Sequence, residues 1–279
     1  MECKMELIRS ISQMQEISAS WKGSVGFVPT MGFLHQGHIS LVQEAAKHHA
    51  ILVVSIFVNP TQFGAGEDLD TYPTNLEHDL ELLRREKVDY VYFPTKAEMY
   101  PADFKTWVNT EIITQILCGR TRPTHFRGVT TVLAKLLNIV RPDAMYMGEK
   151  DFQQLVVTRQ MVRDLNFTTR VVGCPIVREA DGLAMSSRNS YLSSQGRQDA
   201  LCLSLAIARA EELTKSGVTD FKTIRSEMRK IILDHNGRID YIELVDSTSL
   251  HHLDTVKAGC RLLLAAYIEN TRLIDNTTL

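Results

Sequence analysis

Two histidines three residues apart, in His35-Gln36-Gly37-His38, are the most distinctive chemical feature of this 279-residue sequence. They follow the short apolar run Val25–Pro29 and precede apolar residues at helical spacing, so we expect them at the start of a helix. A helix start offers main-chain N–H groups and the positive end of the helix dipole, and imidazoles can donate to phosphate oxygens. The pattern predicts a phosphate-binding site, with capping or surface histidines and a metal site as open alternatives.

Two further segments supply cations for such a site. Gly148-Glu149-Lys150-Asp151 follows the predicted strand Ala144–Met147, and Met185-Ser186-Ser187-Arg188 lies in a polar loop. Lys150 and Arg188 could neutralise the charge of phosphoryl oxygens, and the two serines add hydroxyl and backbone donors. Taken alone, each segment is also typical of an ordinary charged loop.

Amide side chains follow a second predicted strand. Asn59-Pro60-Thr61-Gln62-Phe63 comes directly after the β-branched run Ile51–Val58, and Gln153-Gln154 begins a later helix. Gln62 and Gln154 can donate to a carboxylate and accept from hydroxyls, with Met31 and Phe63 as an apolar wall. For each glutamine alone, a hydrogen bond within a turn explains its presence about as well as ligand binding does.

The elements around these residues alternate between strand and helix. Such alternation predicts an α/β domain with a Rossmann-like, doubly wound parallel sheet and ligands at the carboxyl ends of its strands. After about residue 176 the pattern changes to a smaller α+β domain, which gives predicted domains 1–176 and 177–279. The remaining predicted helices are Leu76–Lys87, Val129–Val140, Phe152–Leu165, Gln195–Lys215 and Asp220–His235, and the remaining strands are Val88–Phe93, Arg170–Val172, Asp240–Val245 and Leu262–Ile268.

Composition excludes several classes of partner. With 31 Lys and Arg against 33 Asp and Glu, the formal net charge of −2 provides no basic field for nucleic acid or an anionic membrane. The longest apolar stretch is too short to span a bilayer, and Met1–Gln15 interleaves charges with apolar residues, unlike a secretory signal. Five dispersed cysteines without a CxxC pair fit a reducing compartment, so we expect a cytoplasmic protein that binds small molecules.

Common local signatures of other enzymes are missing from the sequence. It contains no GxxxxGK[ST] loop, GxGxxG fingerprint or GxSxG elbow, which are typical of P-loop kinases, dinucleotide oxidoreductases and α/β-hydrolases.

Taken together, the segments resemble the pantothenate synthetase family, within the nucleotidyltransferase superfamily that carries an HxGH element. The resemblance spans nearly the whole chain, in matching order. The matching motifs are Pro29-Thr-Met-Gly-Phe-Leu-His-Gln-Gly-His38, Phe57-Val-Asn-Pro-Thr-Gln-Phe63, His125-Phe-Arg-Gly-Val129, Tyr146-Met-Gly-Glu-Lys-Asp-Phe-Gln-Gln154, Ile176-Val-Arg-Glu179, Asp181-Gly-Leu-Ala-Met-Ser-Ser-Arg-Asn189, Tyr241-Ile-Glu-Leu-Val-Asp246 and Thr271-Arg-Leu-Ile-Asp-Asn276.

The resemblance implies an ATP- and Mg²⁺-dependent homodimer whose C-terminal domain is a lid. Its reaction would join pantoate to β-alanine through a pantoyl-adenylate, with His38, His35 and Lys150 in catalytic roles and no metal ligands assigned. Gln62 would contact pantoate and β-alanine, and Gln154 would contact pantoate. The implied ATP contacts are Met31, Gly32, Phe33, Leu34, His35, Gln36, Gly37, His38, Gly148, Glu149, Lys150, Asp151, Val177, Met185, Ser186, Ser187 and Arg188.

Two departures from the family pattern stand outside these motifs: Thr74 where Arg is usual, and Thr124 where Gly is common. We therefore assign no contact near Tyr72. Two rival functions also stay open, namely a nucleotidyltransferase that acts on a phosphorylated acceptor and a non-catalytic nucleotide-binding module. The amides Gln62 and Gln154 favour a hydroxy-acid substrate over a phosphorylated one, which would call for more Arg or Lys.

Overall fold

The computed structural model describes residues 5–279, and six parallel strands form its first sheet. The strand order is β1-β4-β3-β2-β5-β6, so the chain builds outward from β2 in one direction and then continues on its other side with β5. The strands are β1 (Glu6–Ile8), β2 (Val25–Thr30), β3 (Ile51–Ile56), β4 (Tyr90–Tyr92), β5 (Ala144–Gly148) and β6 (Arg170–Cys174).

The reversal of strand order creates a switch point between β2 and β5, which pair through Gly26 with Ala144 and Phe27 with Met145. Loops that leave neighbouring strands at such a point diverge, and ligands of open α/β sheets bind in the resulting crevice. The loop after β2 carries the two histidines. The switch point therefore marks the expected ligand edge of the sheet.

Helices connect the strands, because neighbouring parallel strands need a crossover connection between them. Side chains cap four of these helices: Ser10 accepts from Gln13 N, His35 from Gly37 N, Asn75 from His78 N and Thr95 from Glu98 N. The helices between the strands are α1 (Ile11–Ser20), α2 (Gln36–Ala46), α3 (Leu76–Arg85), α4 (Lys96–Met99), α5 (Cys118–Thr121), α6 (His125–Val140) and α7 (Phe152–Asp164).

The central strands are buried along nearly their whole length, as is expected where helices cover both faces of a parallel sheet. Every residue of β3 after Ile51 is buried, including Ser55, and β2 is buried except at Pro29. A continuous apolar run of this kind is typical of a strand in the middle of a parallel sheet. This packing fixes the position of the loops at the strand ends.

The second compact unit has its own antiparallel sheet and core. Its strands β7 (Arg238–Val245), β8 (Arg261–Ile268) and β9 (Thr271–Thr278) pair in chain order. Helices α8 (Ser194–Asp199), α9 (Cys202–Lys215) and α10 (Phe221–Asp234) precede them, and the inner faces meet in one apolar cluster.

The two units are not divided at a single point of the chain. The first contains the described residues up to Glu149 together with Val157–Pro175, and the second contains Lys150–Val156 and Ile176–Leu279. Lys150 and Gln154 therefore cluster with the second unit. The boundary predicted at 176/177 stays a prediction.

The predicted fold class is confirmed: a Rossmann-like parallel sheet with helices, followed by a smaller α+β unit. The single helix predicted over Gln195–Lys215 is wrong, because a turn at Ala200 and Leu201, where the Leu201 N–H donates to the Gln198 carbonyl three residues back, separates α8 from α9. No helix of residues 5–279 is long and apolar enough to cross a membrane. Part of the N-terminal stretch interpreted above, with Cys3, lies outside the described residues.

Candidate active site

The loop between β2 and α2 has an unusual backbone, held by a buried carboxylate. Gly32 and Phe33 have φ angles of 85° and 52°, a region that non-glycine residues rarely adopt. Asp79 of α3, only 1% exposed, accepts the Phe33 N–H at 2.9 Å and the Leu34 N–H at 2.7 Å. Burial raises the pKa of Asp79, and these two hydrogen bonds oppose that rise. Asp79 thus fixes the chain immediately before His35.

The two histidines form a reciprocal cap at the start of α2. His35 Nδ1 accepts the Gly37 N–H at 3.1 Å, and His38 Nδ1 accepts the His35 N–H at 3.3 Å. The ring centroids are 4.1 Å apart. Because a main-chain N–H can only donate, Nδ1 of each ring is an acceptor and Nε2 carries the ring proton. Both histidines therefore cap α2, and the cap itself makes Nε2 the donor atom of each imidazole; their role as phosphate ligands stays a prediction.

Gln62, predicted to contact pantoate, lies in a short 3-10 helix after β3 with its amide oriented by two neighbours. Its Oε1 accepts from Asn59 Nδ2 at 3.1 Å, and its Nε2 donates to Met31 Sδ at 3.0 Å. Asn59 is itself 1% exposed and donates from the same amide to the Gly128 carbonyl. The predicted proximity of the loops after β2 and β3 is thus realised at Met31 and Gln62.

The main chain of Gln62 is held from the other side by residues around the start of α6. Arg122 Nη2 and His125 Nδ1 both donate to the Gln62 carbonyl, at 3.2 and 2.9 Å. Arg122 is also paired bidentately with Glu67, at 2.7 and 2.6 Å. Burial raises the pKa of Glu67, but hydrogen bonding and the charge of Arg122 outweigh it and lower the pKa.

Gly128 allows α6 to approach this segment closely. A Cβ atom at that position would lie 2.3 Å from the Thr61 carbonyl oxygen and 2.6 Å from the Gln62 nitrogen. Both distances are shorter than real contacts permit. The motif His125-Phe-Arg-Gly128 therefore has a physical role, which is to position Gln62.

In the second unit, a hairpin brings two predicted ATP contacts together. The Met185 N–H donates to the Val177 carbonyl at 3.0 Å, and Arg178 pairs with Ala184 in an antiparallel bridge. The following Ser186 caps a 3-10 helix, Ser187–Tyr191, by accepting from the Arg188 N–H. Val177 and the Met185-Ser186-Ser187-Arg188 segment thus form one continuous structure.

The remaining predicted residues lie at or after β5. Gly148 ends the strand, Glu149 to Asp151 form a 3-10 turn, and Lys150 Nζ is 3.9 Å from Asp151 Oδ2. Gln154 lies in the first turn of α7 and is half-buried, whereas Gln153 is buried. Among residues 5–279 no group of three His, Cys, Asp or Glu side chains could hold a metal ion, so a metal site at the histidines gains no support.

Several functional side chains were missed by sequence reasoning. Four of them lie inside or next to sequence motifs, but the sequence does not show that they contact Gln62. These four are Asn59, Arg122, His125 and Gly128. Asp79 gave no signal, because an acid in the first turn of a helix is common for electrostatic reasons alone.

The fold defines a Rossmann-like α/β protein, and the histidine-bearing helix start follows a strand at its switch point. A family model described as pantoate-beta-alanine ligase matches residues 6–278, and the chain belongs to this family.

Relatives named pantothenate synthetase match this chain in sequence over nearly its full length. A pantothenate synthetase of Sulfurihydrogenibium sp. (strain YO3AOP1) is 52% identical over 277 residues, covering 98% of this chain and 99% of the relative. One from Acetivibrio thermocellus is 49% identical over 276 residues, covering 98% of both chains.

Solved structures of the same family are similar to this chain over nearly its full length. The pantothenate synthetase of Thermus thermophilus superposes with a TM-score of 0.94 at 42% identity, covering 98% of this chain and 99% of that one. The pantoate-beta-alanine ligase of Francisella tularensis, complexed with beta-gamma ATP and beta-alanine, gives a TM-score of 0.83 at 35% identity, covering 99% and 98%.

Proposed function

We propose that this protein condenses pantoate with β-alanine, using ATP, to give pantothenate, AMP and pyrophosphate. Family membership over residues 6–278 supports this assignment, and the Francisella relative was crystallised with an ATP species and β-alanine. A carboxylate does not condense with an amine at neutral pH, because an oxide leaving group is poor. The carboxylate must therefore be activated first.

In the first half-reaction the pantoate carboxylate attacks the α-phosphorus of ATP. A new O–P bond forms, the bond from that phosphorus to the bridging oxygen breaks, and pyrophosphate leaves. We assign His35, His38 and Lys150 to stabilise the charge that develops on the phosphoryl oxygens. The observation that carries this assignment is the reciprocal cap, which makes Nε2 the donor of both imidazoles at a helix start.

Gln62 supplies the pantoate contact in this proposal. Its amide is already oriented, and its Nε2 donates to a thioether sulfur, which is a weak acceptor. An oxygen of pantoate would be a better partner, so exchanging Met31 Sδ for substrate costs little. The nearby cation, Arg122, is committed to Glu67, which favours a hydroxy acid over a phosphorylated acceptor. Gln154 is assigned to pantoate from its motif.

In the second half-reaction the β-alanine amine attacks the acyl carbonyl. A C–N bond forms, the bond from carbonyl carbon to adenylate oxygen breaks, and AMP leaves while the amine loses a proton. Gln62 is proposed to lie near β-alanine as well. The chain contributes positioning and charge stabilisation, and no protein nucleophile is required.

The proposed ATP contacts follow the family motifs. Mg²⁺ is proposed as the counter-ion that ATP carries, because Mg²⁺ in such reactions is held largely by substrate phosphates and water. The proposed contacts are Met31, Gly32, Phe33, Leu34, His35, Gln36, Gly37, His38, Gly148, Glu149, Lys150, Asp151, Val177, Met185, Ser186, Ser187 and Arg188.

The protein is further proposed to be a homodimer, as the family resemblance implies. Trp107 and Ile112 are 42% and 67% exposed, in the stretch 100–117, which has no helix or strand, and a second copy would cover them. Light scattering should give twice the chain mass of 31.6 kDa, and Trp107→Glu with Ile112→Glu should halve it. A monomer before mutation would contradict the dimer.

A cytoplasmic location is proposed because Cys174, Cys202 and Cys260 are buried free thiols, as a reducing compartment favours. Fractionation of expressing cells should recover the protein with the cytoplasm, and recovery from an exported fraction would contradict this.

The reaction is tested by supplying ATP, pantoate and β-alanine and measuring products by mass spectrometry. We expect pantothenate and AMP in equal amounts, both dependent on pantoate and β-alanine, and loss of both when Mg²⁺ is chelated. Nucleotidyl transfer to phosphopantetheine or nicotinate mononucleotide, without pantothenate, would replace this function with the rival one.

A further inference from the structure

Two adjacent polar residues are buried in β9, the last strand of the chain. Asp275 and Asn276 are 2% and 3% exposed. Buried polar side chains are stable only when hydrogen-bonded, and polar short side chains are uncommon in strand interiors. Successive side chains of a strand project to opposite faces, so this pair can reach two different segments.

Asp275 binds the hairpin that carries Val177. Its two carboxylate oxygens accept from Arg178 Nη1 and Nη2 at 2.7 and 2.9 Å, a bidentate pair of the strong kind. Arg178 Nη1 also donates to the Gly182 carbonyl at 3.0 Å, at the hairpin turn. Hydrogen bonding to Asp275 raises the pKa of Arg178 despite its partial burial. The carboxylate thus holds the base and the turn of the hairpin together.

Asn276 binds the segment that carries Lys150. Its Nδ2 donates to the Lys150 carbonyl at 2.9 Å, while its Oδ1 accepts from Arg261 Nε at 2.7 Å. The Arg261 guanidinium lies over the Phe152 ring, 4.3 Å from its centroid. Two residues of the Lys150–Val156 segment are therefore fixed by one connected network, which starts at Asn276 and involves buried Arg261.

We infer that Asp275 and Asn276 are positioning residues for ATP: they hold the Lys150 segment and the Val177–Met185 hairpin in fixed relation within the second unit. The inference rests on the proposed function, in which both segments contact ATP. Charge stabilisation depends on donors placed before the reaction, and a misplacement of about 1 Å can cost roughly 10²-fold in rate. A strand outside the ATP motifs would then control ATP affinity.

The substitutions Asn276→Asp and Asp275→Asn test this with little change in shape. Asn276→Asp keeps an acceptor for Arg261 but sets an oxygen against the Lys150 carbonyl. Asp275→Asn keeps one acceptor for Arg178 and removes the charge. The matched control is Thr277→Val, which removes a hydrogen bond of 2.7 Å from the same strand to Glu211 and leaves the Asp275–Arg178 and Asn276–Lys150 hydrogen bonds in place.

Each test variant should raise KM for ATP about tenfold in pantoate-dependent pyrophosphate exchange, the scale of one lost hydrogen bond. It should weaken binding of a non-hydrolysable ATP analogue, measured by calorimetry, by a similar factor. Thr277→Val should leave both values unchanged even though it lowers the melting temperature. Asp275→Asn serves independently should Asn276→Asp fail to fold.

A double-mutant cycle separates positioning from general destabilisation. If Asn276 acts through Lys150, Asn276→Asp should have little further effect on KM for ATP in a Lys150→Ala background. ATP affinity unchanged in both folded test variants, or lowered equally by Thr277→Val, would overturn the inference. An unmodified protein that shows no exchange would instead refute the proposed function.

Discussion

Removing the Asp79 carboxylate tests whether the loop before His35 is held in place from α3. The substitution Asp79→Ala deletes both acceptors of the Phe33 and Leu34 N–H groups, and Leu34 is 5% exposed. Water cannot readily replace partners at such a site. The left-handed backbone at Gly32 and Phe33 then loses the carboxylate that restrains it.

The size of the effect follows from those two bonds. A hydrogen bond to a charged acceptor contributes about 1.5–3 kcal/mol, and relief of the carboxylate's desolvation offsets part of the sum. We expect a loss of about 3 kcal/mol in the free energy of unfolding, measured by urea denaturation, from these values. Because the loop orients His35, kcat of pyrophosphate exchange in the folded protein should fall by roughly tenfold or more.

Asn75→Ala provides the matched control on the same helix. Asn75 caps α3 by accepting the His78 N–H at 3.1 Å, so its loss should cost about 1 kcal/mol of stability. It makes no contact with the Phe33 or Leu34 N–H, and kcat should not change. An Asp79→Ala protein that is folded and exchanges pyrophosphate within about twofold of the original rate would refute the positioning role.

Substitutions at three more residues probe the first unit. His38→Ala should slow adenylation by roughly 10²-fold. His38→Asn should restore the cap but not the adenylation rate, because an amide does not replace the Nε2–H donor of the imidazole. An adenylation rate in the His38→Asn variant equal to that of the unmodified protein would refute this role. Glu67→Gln should lower the urea midpoint of unfolding at pH 7. The difference in midpoint between the two proteins should shrink below pH 4.5. Because the pKa of Glu67 is lowered from its ordinary value of 4.5, the carboxylate stabilises the fold above that pH, and this contribution is lost as it protonates. A constant difference would argue against the ion pair. Gly128→Ala should cost about 1–3 kcal/mol and raise KM for pantoate by displacing Gln62; an unchanged KM would contradict that packing.

The first unit's strands could be predicted because burial on both faces leaves a clear signature. β3 reads as a continuous β-branched run, and the structure places it at the centre of the sheet. By contrast, β1 has three residues and β9 contains Asp275 and Asn276, which strands usually disfavour. Their strand conformation is stabilised by pairing and buried hydrogen bonds, which a linear pattern does not reveal.

Site residues could be predicted where a chemically distinctive side chain lies next to a strand or helix end that the sequence itself displays. His35 and His38 sit at a helix start that the sequence displays, and Gln62 follows a strand of evident type. The residues that hold these side chains in place could not be predicted, because their contacts join parts of the chain that are far apart in sequence. Asp79 lies 45 residues from Leu34, and Arg122 lies 60 residues from Gln62. Only the folded chain brings these donors and acceptors together.

Exchange of labelled pyrophosphate into ATP, with pantoate and Mg²⁺ present and β-alanine left out, tests the central claim most directly. The assay isolates reversible formation of the acyl-adenylate from the amide-forming step. The account predicts exchange that requires pantoate and falls by roughly 10² in His38→Ala. A folded protein that binds ATP but shows no pantoate-dependent exchange would contradict the adenylate route.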